Sequence, residues 1–425
     1  MTSSKAVEEM IMGSTLKNAF KYLIIFCPVI FLVTLIVYLK DINLKLQQIK
    51  TSETNQLTVI TTAIKNRIIA TTSDLSILSR NNYLKQYFRN RSASNRKNIE
   101  QLFSLVMDET NLYDQIRLID RDGQEIVRVN FINQSPHTTP LSKLQNKKSR
   151  YYFKDTIKLP DRGVFISPLD LNVENSKIEV PWKPMIRLAT PVFYDGNSNG
   201  ILIINYYGSE IINAIKNLHS DIESNNKDSF CPNYTYFLNS DSYYFNNTDS
   251  SKNWGFMFPE KKSVNFKTDF PNEWKIISGA SQGQLNTGNG VFTFQTVHPA
   301  REAWQASSGT ANPVGDSDKI LSGREYEWKL VNYIPKTEIN RIIIRIALRY
   351  LIIFLVSFII ILIVSLILSS SEIKRKKIQK EIEQTIESLN ISNNTKNRFF
   401  SIISHDLKGP IGSVNGLLSI IHEDW

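Results

Sequence analysis

The chain has 425 residues, 42% of them hydrophobic and 21% charged, an ordinary folded composition with room for two or three domains. Its two cysteines, Cys27 in an apolar run and Cys231 in a polar one, exclude a disulfide framework, and its five histidines show no Cys/His/carboxylate grouping with metal-ligand spacing. The net charge of +10 is scattered except at residues 374–377, a pattern that favours membrane topology over nucleic-acid binding.

Residues 22–39 form an apolar run of about 18 residues, long enough to cross a bilayer. Lys17 and Lys21 precede it and no small-x-small cleavage site follows, so it reads as an uncleaved anchor behind a cytoplasmic segment, 1–21. From Ile42 onward Leu46, Ile49, Leu57, Ile60, Ile64, Ile68, Leu75 and Leu78 recur at helical spacing and predict one long helix reaching towards Asn95. The period then changes to two. Strands are expected at 115–119 and 125–130 about the turn Asp120-Arg-Asp-Gly123, and at 150–156, 163–167, 185–193 and 200–206, followed by a helix at 210–218.

A second, smaller α/β set begins near Asp228, with a hairpin of strands 234–238 and 242–245 and further strands at 290–297 and 328–334. The Ser-, Gly- and Asp-rich stretch 306–322 reads as a surface loop. Residues 350–368 are again apolar, and the second span is drawn at 347–368. Arg341, Arg345 and Arg349 lead into it and Lys374, Arg375, Lys376 and Lys377 follow it, which puts both chain ends in the cytoplasm and residues 40–341 outside. Beyond the span Ile378, Ile382, Ile386 and Leu389 make a short amphipathic seam in a linker helix, 369–395.

On a helix Phe400, Ile403, Leu407, Ile411, Val414, Leu418 and Ile421 fall on one narrow apolar stripe. His405 is turned roughly 140 to 160 degrees away from it, into water. A neutral imidazole there has a nucleophilic ring nitrogen, and the adjacent Asp406 can hold the other ring N–H or take up a proton. Pro410 predicts a kink just beyond, in a region softened by Gly409, Gly412 and Gly416.

The string F-F-S-I-I-S-H-D-L-K-G-P-I at 399–411 resembles the H-box of two-component sensor histidine kinases. The resemblance implies that His405 is the phosphoacceptor, that Asp406 assists as acid or base, and that 396–425 begins a dimeric four-helix bundle. It also implies ATP with Mg2+ as phosphoryl donor through a catalytic domain, and a response regulator as acceptor. The family's Asn-rich box and Gly-rich loops are not found before Trp425, so the sequence reads as a sensor kinase truncated ahead of that domain.

The strings at 114–130, 150–153, 167–172, 187–193 and 239–244 resemble the double Cache (double PDC) sensor fold. The implied architecture is an α+β membrane receptor of the bacterial plasma membrane, a homodimer with two PDC-like α/β modules on the long N-terminal helix: a membrane-distal module at 40–220 and a membrane-proximal one at 221–341. In that family the distal module carries the small-molecule pocket. Arg128, Arg150, Tyr152, Ser167, Asp170 and Arg187 are its candidates here, because arginines grip a carboxylate bidentately while an aromatic ring covers the remainder. The alternative for each arginine is pairing with a neighbouring acid, Asp120, Glu125 or Asp155. The competing reading of the whole chain is a non-catalytic ligand-binding receptor or adaptor.

Overall fold

The computed structural model describes residues 2–174, 177–225, 234–301, 304–310 and 315–423. Cys231 and the expected start of the second module near Asp228 lie outside them. The chain divides into two units, residues 43–343 and residues 1–42 with 344–425.

In the first unit the helix α1 (Thr2–Ser79) supplies Leu57, Ile60, Ile64, Ile68, Leu75 and Leu78 to the core, all of them buried. This is the stripe that the three-and-four spacing predicts. The helix does not continue to Asn95, however. It stops at Ser79, and two separate helices follow, α2 (Asn82–Arg89) and α3 (Ala93–Thr110). Asn81 accepts a hydrogen bond from the Tyr83 amide and Ser92 accepts one from the Asn95 amide, so each polar residue caps a new helix where the apolar period lapses. Ile99, Phe103 and Met107 of α3 join the α1 stripe in the same core.

The strands β1 (Tyr113–Asp120), β2 (Glu125–Ile132) and β3 (Ser135–Thr138) lead to the short helix α4 (Tyr151–Thr156). After it come β4 (Phe165–Ile166), β5 (Asp170–Leu171), the small ribbon of β6 (Val173–Glu174) and β7 (Lys177–Ile178), the long pair β8 (Pro184–Tyr194) and β9 (Asn197–Tyr207), and α5 (Gly208–Asn225). Alternation divides the sheet into two faces. Ile186, Leu188, Leu202, Ile204 and Tyr206 pack in the core with α1 and α3, whereas Ala189, Ile201 and Ile203 pack with Tyr151, Tyr152 and Phe153 of α4. Gly200 sits where β9 meets β1: a Cβ there would lie 2.0 Å from the Ile119 carbonyl oxygen.

The strand expected at 150–156 is therefore a helix. Arg150/Tyr152/Lys154 alternate with Tyr151/Phe153/Asp155 as a half-buried strand would, but all three consecutive aromatics are buried. A strand resting one face on the sheet buries only alternate residues, whereas Tyr151, Tyr152, Phe153, Asp155 and Thr156 are all buried, as in a helical turn enclosed on several sides.

The second module contains β10 (Tyr234–Asn239), β11 (Tyr244–Asn246), α6 (Phe266–Asp269), α7 (Pro271–Ile277), β12 (Gln282–Asn286) and β13 (Gly290–Val297). It continues with β14 (Gln305–Ser307), β15 (Ile320–Ser322) and β16 (Trp328–Pro335), which runs directly into α8 (Lys336–Glu423). Its own sheet has the order β11-β10-β16-β13-β12. Aromatic side chains fill its core, including a Phe292–Tyr333 stack at 4.5 Å between ring centroids.

The hairpin of β14 and β15 belongs elsewhere. It pairs in parallel through β14 with β4 and extends the first module's sheet, whose order is β15-β14-β4-β8-β9-β1-β2-β3 with β5 beside β8. The surface loop expected at 306–322 is thus replaced in part by two strands. Its Ser- and Gly-rich composition carries no apolar period, so the pairing is invisible in the sequence: backbone hydrogen bonds hold it.

In the second unit Phe31 meets Phe354 and Tyr38 meets Tyr350, both at 5.9 Å between ring centroids, and Ser369 Oγ donates to the Thr15 carbonyl at 2.7 Å. Both helices are long and apolar enough here to cross a membrane. Their large apolar side chains, among them Ile24, Phe31, Ile36, Ile352, Ile359 and Ile367, are exposed in the chain alone, as lipid-facing residues are.

Candidate functional site

The face of the first module's sheet that carries α4 also holds a cleft of about 450 Å³. Arg117 on β1 and Arg187 and Asn205 on the paired strands β8 and β9 rise from the sheet. Lys147, Arg150, Tyr151 and Tyr152 close one side, and Asp170, Leu171 and Asn172 another. The hairpin adds Ser308, Gly309, Thr310 and Asp318, and the second module adds Phe256 and Met257.

Two guanidinium groups organise the interior. Arg187, 9% exposed, donates through Nη1 to Asp170 Oδ1 at 3.0 Å and through Nη2 to Asn172 Oδ1 at 3.1 Å. Arg117, 4% exposed, donates through Nη2 to Asn205 Oδ1 at 3.0 Å and through Nη1 to the Tyr152 hydroxyl at 3.3 Å. Lys147, 8% exposed, donates to Gln145 Oε1 at 2.5 Å.

The electrostatics are lopsided. Burial pushes the Tyr152 phenol up, yet Arg117, Lys147, Arg150 and Arg187 together outweigh burial and hold its pKa below the ordinary value. Burial lowers the Lys147 pKa, and burial raises that of Asp170 against the pull of Arg187. Perturbed groups converging in a cleft make it the candidate site of this chain.

Of the residues expected from the sequence, Arg150, Tyr152, Asp170 and Arg187 line this cleft. Ser167 lies beneath it, where its Oγ accepts from the Arg187 amide and donates to the Pro168 carbonyl, fixing β4 against β8. Arg128 shares the sheet face with Arg117, its cross-strand neighbour, but does not line the cleft: its Nε donates to Thr139 Oγ1 at 3.0 Å and its Nη1 lies 3.5 Å from Glu125 Oε2, the acid pairing weighed as its alternative. Arg117, Lys147, Asn172 and Asn205 were not anticipated. Arg117 and Asn205 are polar residues on strands whose neighbours are apolar, a signal that was present; Lys147, in an irregular segment, gave none.

His405 lies on α8, its side chain 90% exposed, with Nδ1 3.5 Å from Asp406 Oδ1. The helix runs through Pro410, and Phe400, Leu407, Ile411, Val414 and Leu418 are exposed along it. Among the described residues no group of three or more His, Cys, Asp or Glu side chains converges as a metal site.

The family model for the bacterial histidine kinase, sensor domain, matches residues 47–304. Among solved structures, the extracellular domain assigned to a histidine kinase, vpHK1S-Z8, is 18% identical with a TM-score of 0.54, covering 70% of this chain and 95% of that one. A domain assigned to a sensory box/GGDEF family protein from Vibrio parahaemolyticus is also 18% identical at a TM-score of 0.54, covering 70% of this chain and 99% of that one. The sensory domain of the Campylobacter jejuni chemoreceptor Tlp3 with isoleucine bound is 12% identical at a TM-score of 0.45, covering 70% and 97%. No curated protein matches the chain in sequence.

Proposed function

The chain belongs to the bacterial histidine kinase sensor domain family, and from that premise we propose that it is a membrane receptor whose cleft binds a small molecule outside the cytoplasm and thereby controls phosphorylation of His405. The observation that carries this reading is the cleft itself: buried Arg117, Arg187 and Asn205, fixed by hydrogen bonds and covered by Tyr152, in a volume within the range of small-molecule sites.

The two apolar helices span the plasma membrane and leave residues 43–343 extracytoplasmic. At His405, Asp406 stands beside Nδ1 and leaves Nε2 as the nucleophile. A bond forms between that nitrogen and the γ-phosphorus of ATP as the bond to ADP breaks, with Mg2+ and a kinase catalytic domain supplying the donor. The phosphoryl group then passes to a response-regulator aspartate. The exposed apolar stripe beside His405 serves a homodimeric helical bundle, since a stripe of that width is stable only when covered.

The test is phosphoryl transfer to the full chain from Mg-ATP with a histidine kinase catalytic domain supplied in trans. Acid-labile label is expected on the wild type and not on His405→Gln; label kept by His405→Gln overturns the phosphoacceptor.

A further inference from the structure

We infer that the cleft takes a small organic dianion, a dicarboxylate or a phosphate monoester, in preference to a zwitterionic amino acid or a neutral sugar. The inference rests on the reading of this cleft as the ligand site and follows from its internal charges.

Arg187 and Asp170 satisfy one another at 3.0 Å and leave no carboxylate on that wall for a ligand ammonium group. The carboxylate nearest Arg117 is Glu125 at 3.7 Å, but Glu125 also lies 3.5 Å from Arg128. One buried carboxylate thus serves two guanidinium groups, and one positive charge is left over. The Arg117 Nε–H, buried, has no hydrogen-bond partner among the described residues. Lys147 contributes the second uncompensated charge: its ammonium group is buried and bonds only the neutral Gln145 among the described residues. The other lining acids, Glu174 and Asp318, are exposed at the mouth, as is Lys262, and water screens them.

Two unmatched buried cations are costly alone and are relieved by an anion that reaches both. Tyr152 lines the same cleft beside Arg117, whose guanidinium carbon is 5.5 Å from its ring centroid, and offers an apolar surface to the carbon skeleton of such a ligand. The same cations hold the pKa of that phenol below its ordinary value.

The test is calorimetric titration of the full chain in nanodiscs with malonate, succinate, malate, glycerol phosphate, inorganic phosphate, isoleucine, arginine and glucose, each up to about 10 mM, with Lys147→Gln and Arg117→Gln in parallel. A dicarboxylate or glycerol phosphate is expected to bind, weakening as salt rises and at least about tenfold weaker in Lys147→Gln. Because Arg117→Gln risks the fold, its melting curve is taken alongside and Lys147→Gln carries the conclusion. Isoleucine, arginine or glucose binding in preference, with loss in Arg117→Gln, overturns the dianion while leaving the cleft as the ligand site. Anion binding that survives both substitutions places it outside the cleft and overturns both readings, and no binding by any organic dianion overturns the inference.

Discussion

Asp170 and Lys147 show opposite consequences of burying charge. Asp170 is the partner of a buried guanidinium, so Asp170→Ala strands Arg187 and is expected to cost about 3 kcal/mol, read as a lower melting temperature of the 43–343 unit. Lys147 has no acidic partner among the described residues, so Lys147→Met is expected to stabilise the ligand-free unit by about 1 kcal/mol while abolishing anion binding. The pH dependence has a definite sign. Burial lowers the folded-state pKa of Lys147 below 10.5, so between the two values the unfolded chain holds more protons and stability rises with pH. The advantage of Lys147→Met therefore shrinks as melts are taken from neutral pH towards the ordinary lysine value of about 10.4. In the sequence Arg128 and Arg187 were equivalent, since both are strand arginines. Their difference arises from where on one sheet face each stands: Arg128, on β2 across from Arg117, is taken up by Thr139 and Glu125, whereas Arg187, on β8, lines the cleft, a tertiary fact that local alternation does not contain.

At the scale of elements, the hairpin of β14 and β15 is tied to the cleft by hydroxyl groups. Ser317 Oγ donates to Asp155 Oδ2 at 2.6 Å and lies 2.6 Å from Ser307 Oγ, while Lys154 pairs with Asp316 at 2.9 Å. Ser317→Ala is expected to cost about 1 kcal/mol and to speed hydrogen exchange at 315–322 more than elsewhere in the sheet. Gly200→Ala forces a Cβ onto the Ile119 carbonyl and is expected to cost about 3 kcal/mol or more by the same melts, with no residue of the cleft altered. The long strands β8 and β9 were legible because their apolar runs are bounded by turn residues. The hairpin was not, because serine and glycine have no periodicity to read, and α4 was misread because an aromatic run suits a strand locally.

For the whole molecule, α1 and β16 with α8 join the 43–343 unit to the two long apolar helices by chain continuity. Asn332 on β16 donates to Glu53 Oε2 at 2.8 Å and Gln56 Oε1 at 2.7 Å on α1, and β16 passes into α8 without a loop. A change in the cleft thus has a covalent route towards His405: the hairpin that lines the cleft is followed by β16, and β16 by α8. The outline of two modules and two long apolar helices was legible in hydropathy and period. The exchange of the hairpin between modules was not, because strand pairing over such separations leaves no local mark. The most direct test of the account measures acid-labile phosphoryl label on the full chain in nanodiscs, with Mg-ATP and a kinase catalytic domain in trans, with and without the dicarboxylate that binds best. The account predicts that the anion changes labelling of the wild type, that Lys147→Gln labels without responding, and that His405→Gln does not label. A response that persists in Lys147→Gln, or wild-type labelling indifferent to a bound anion, contradicts it.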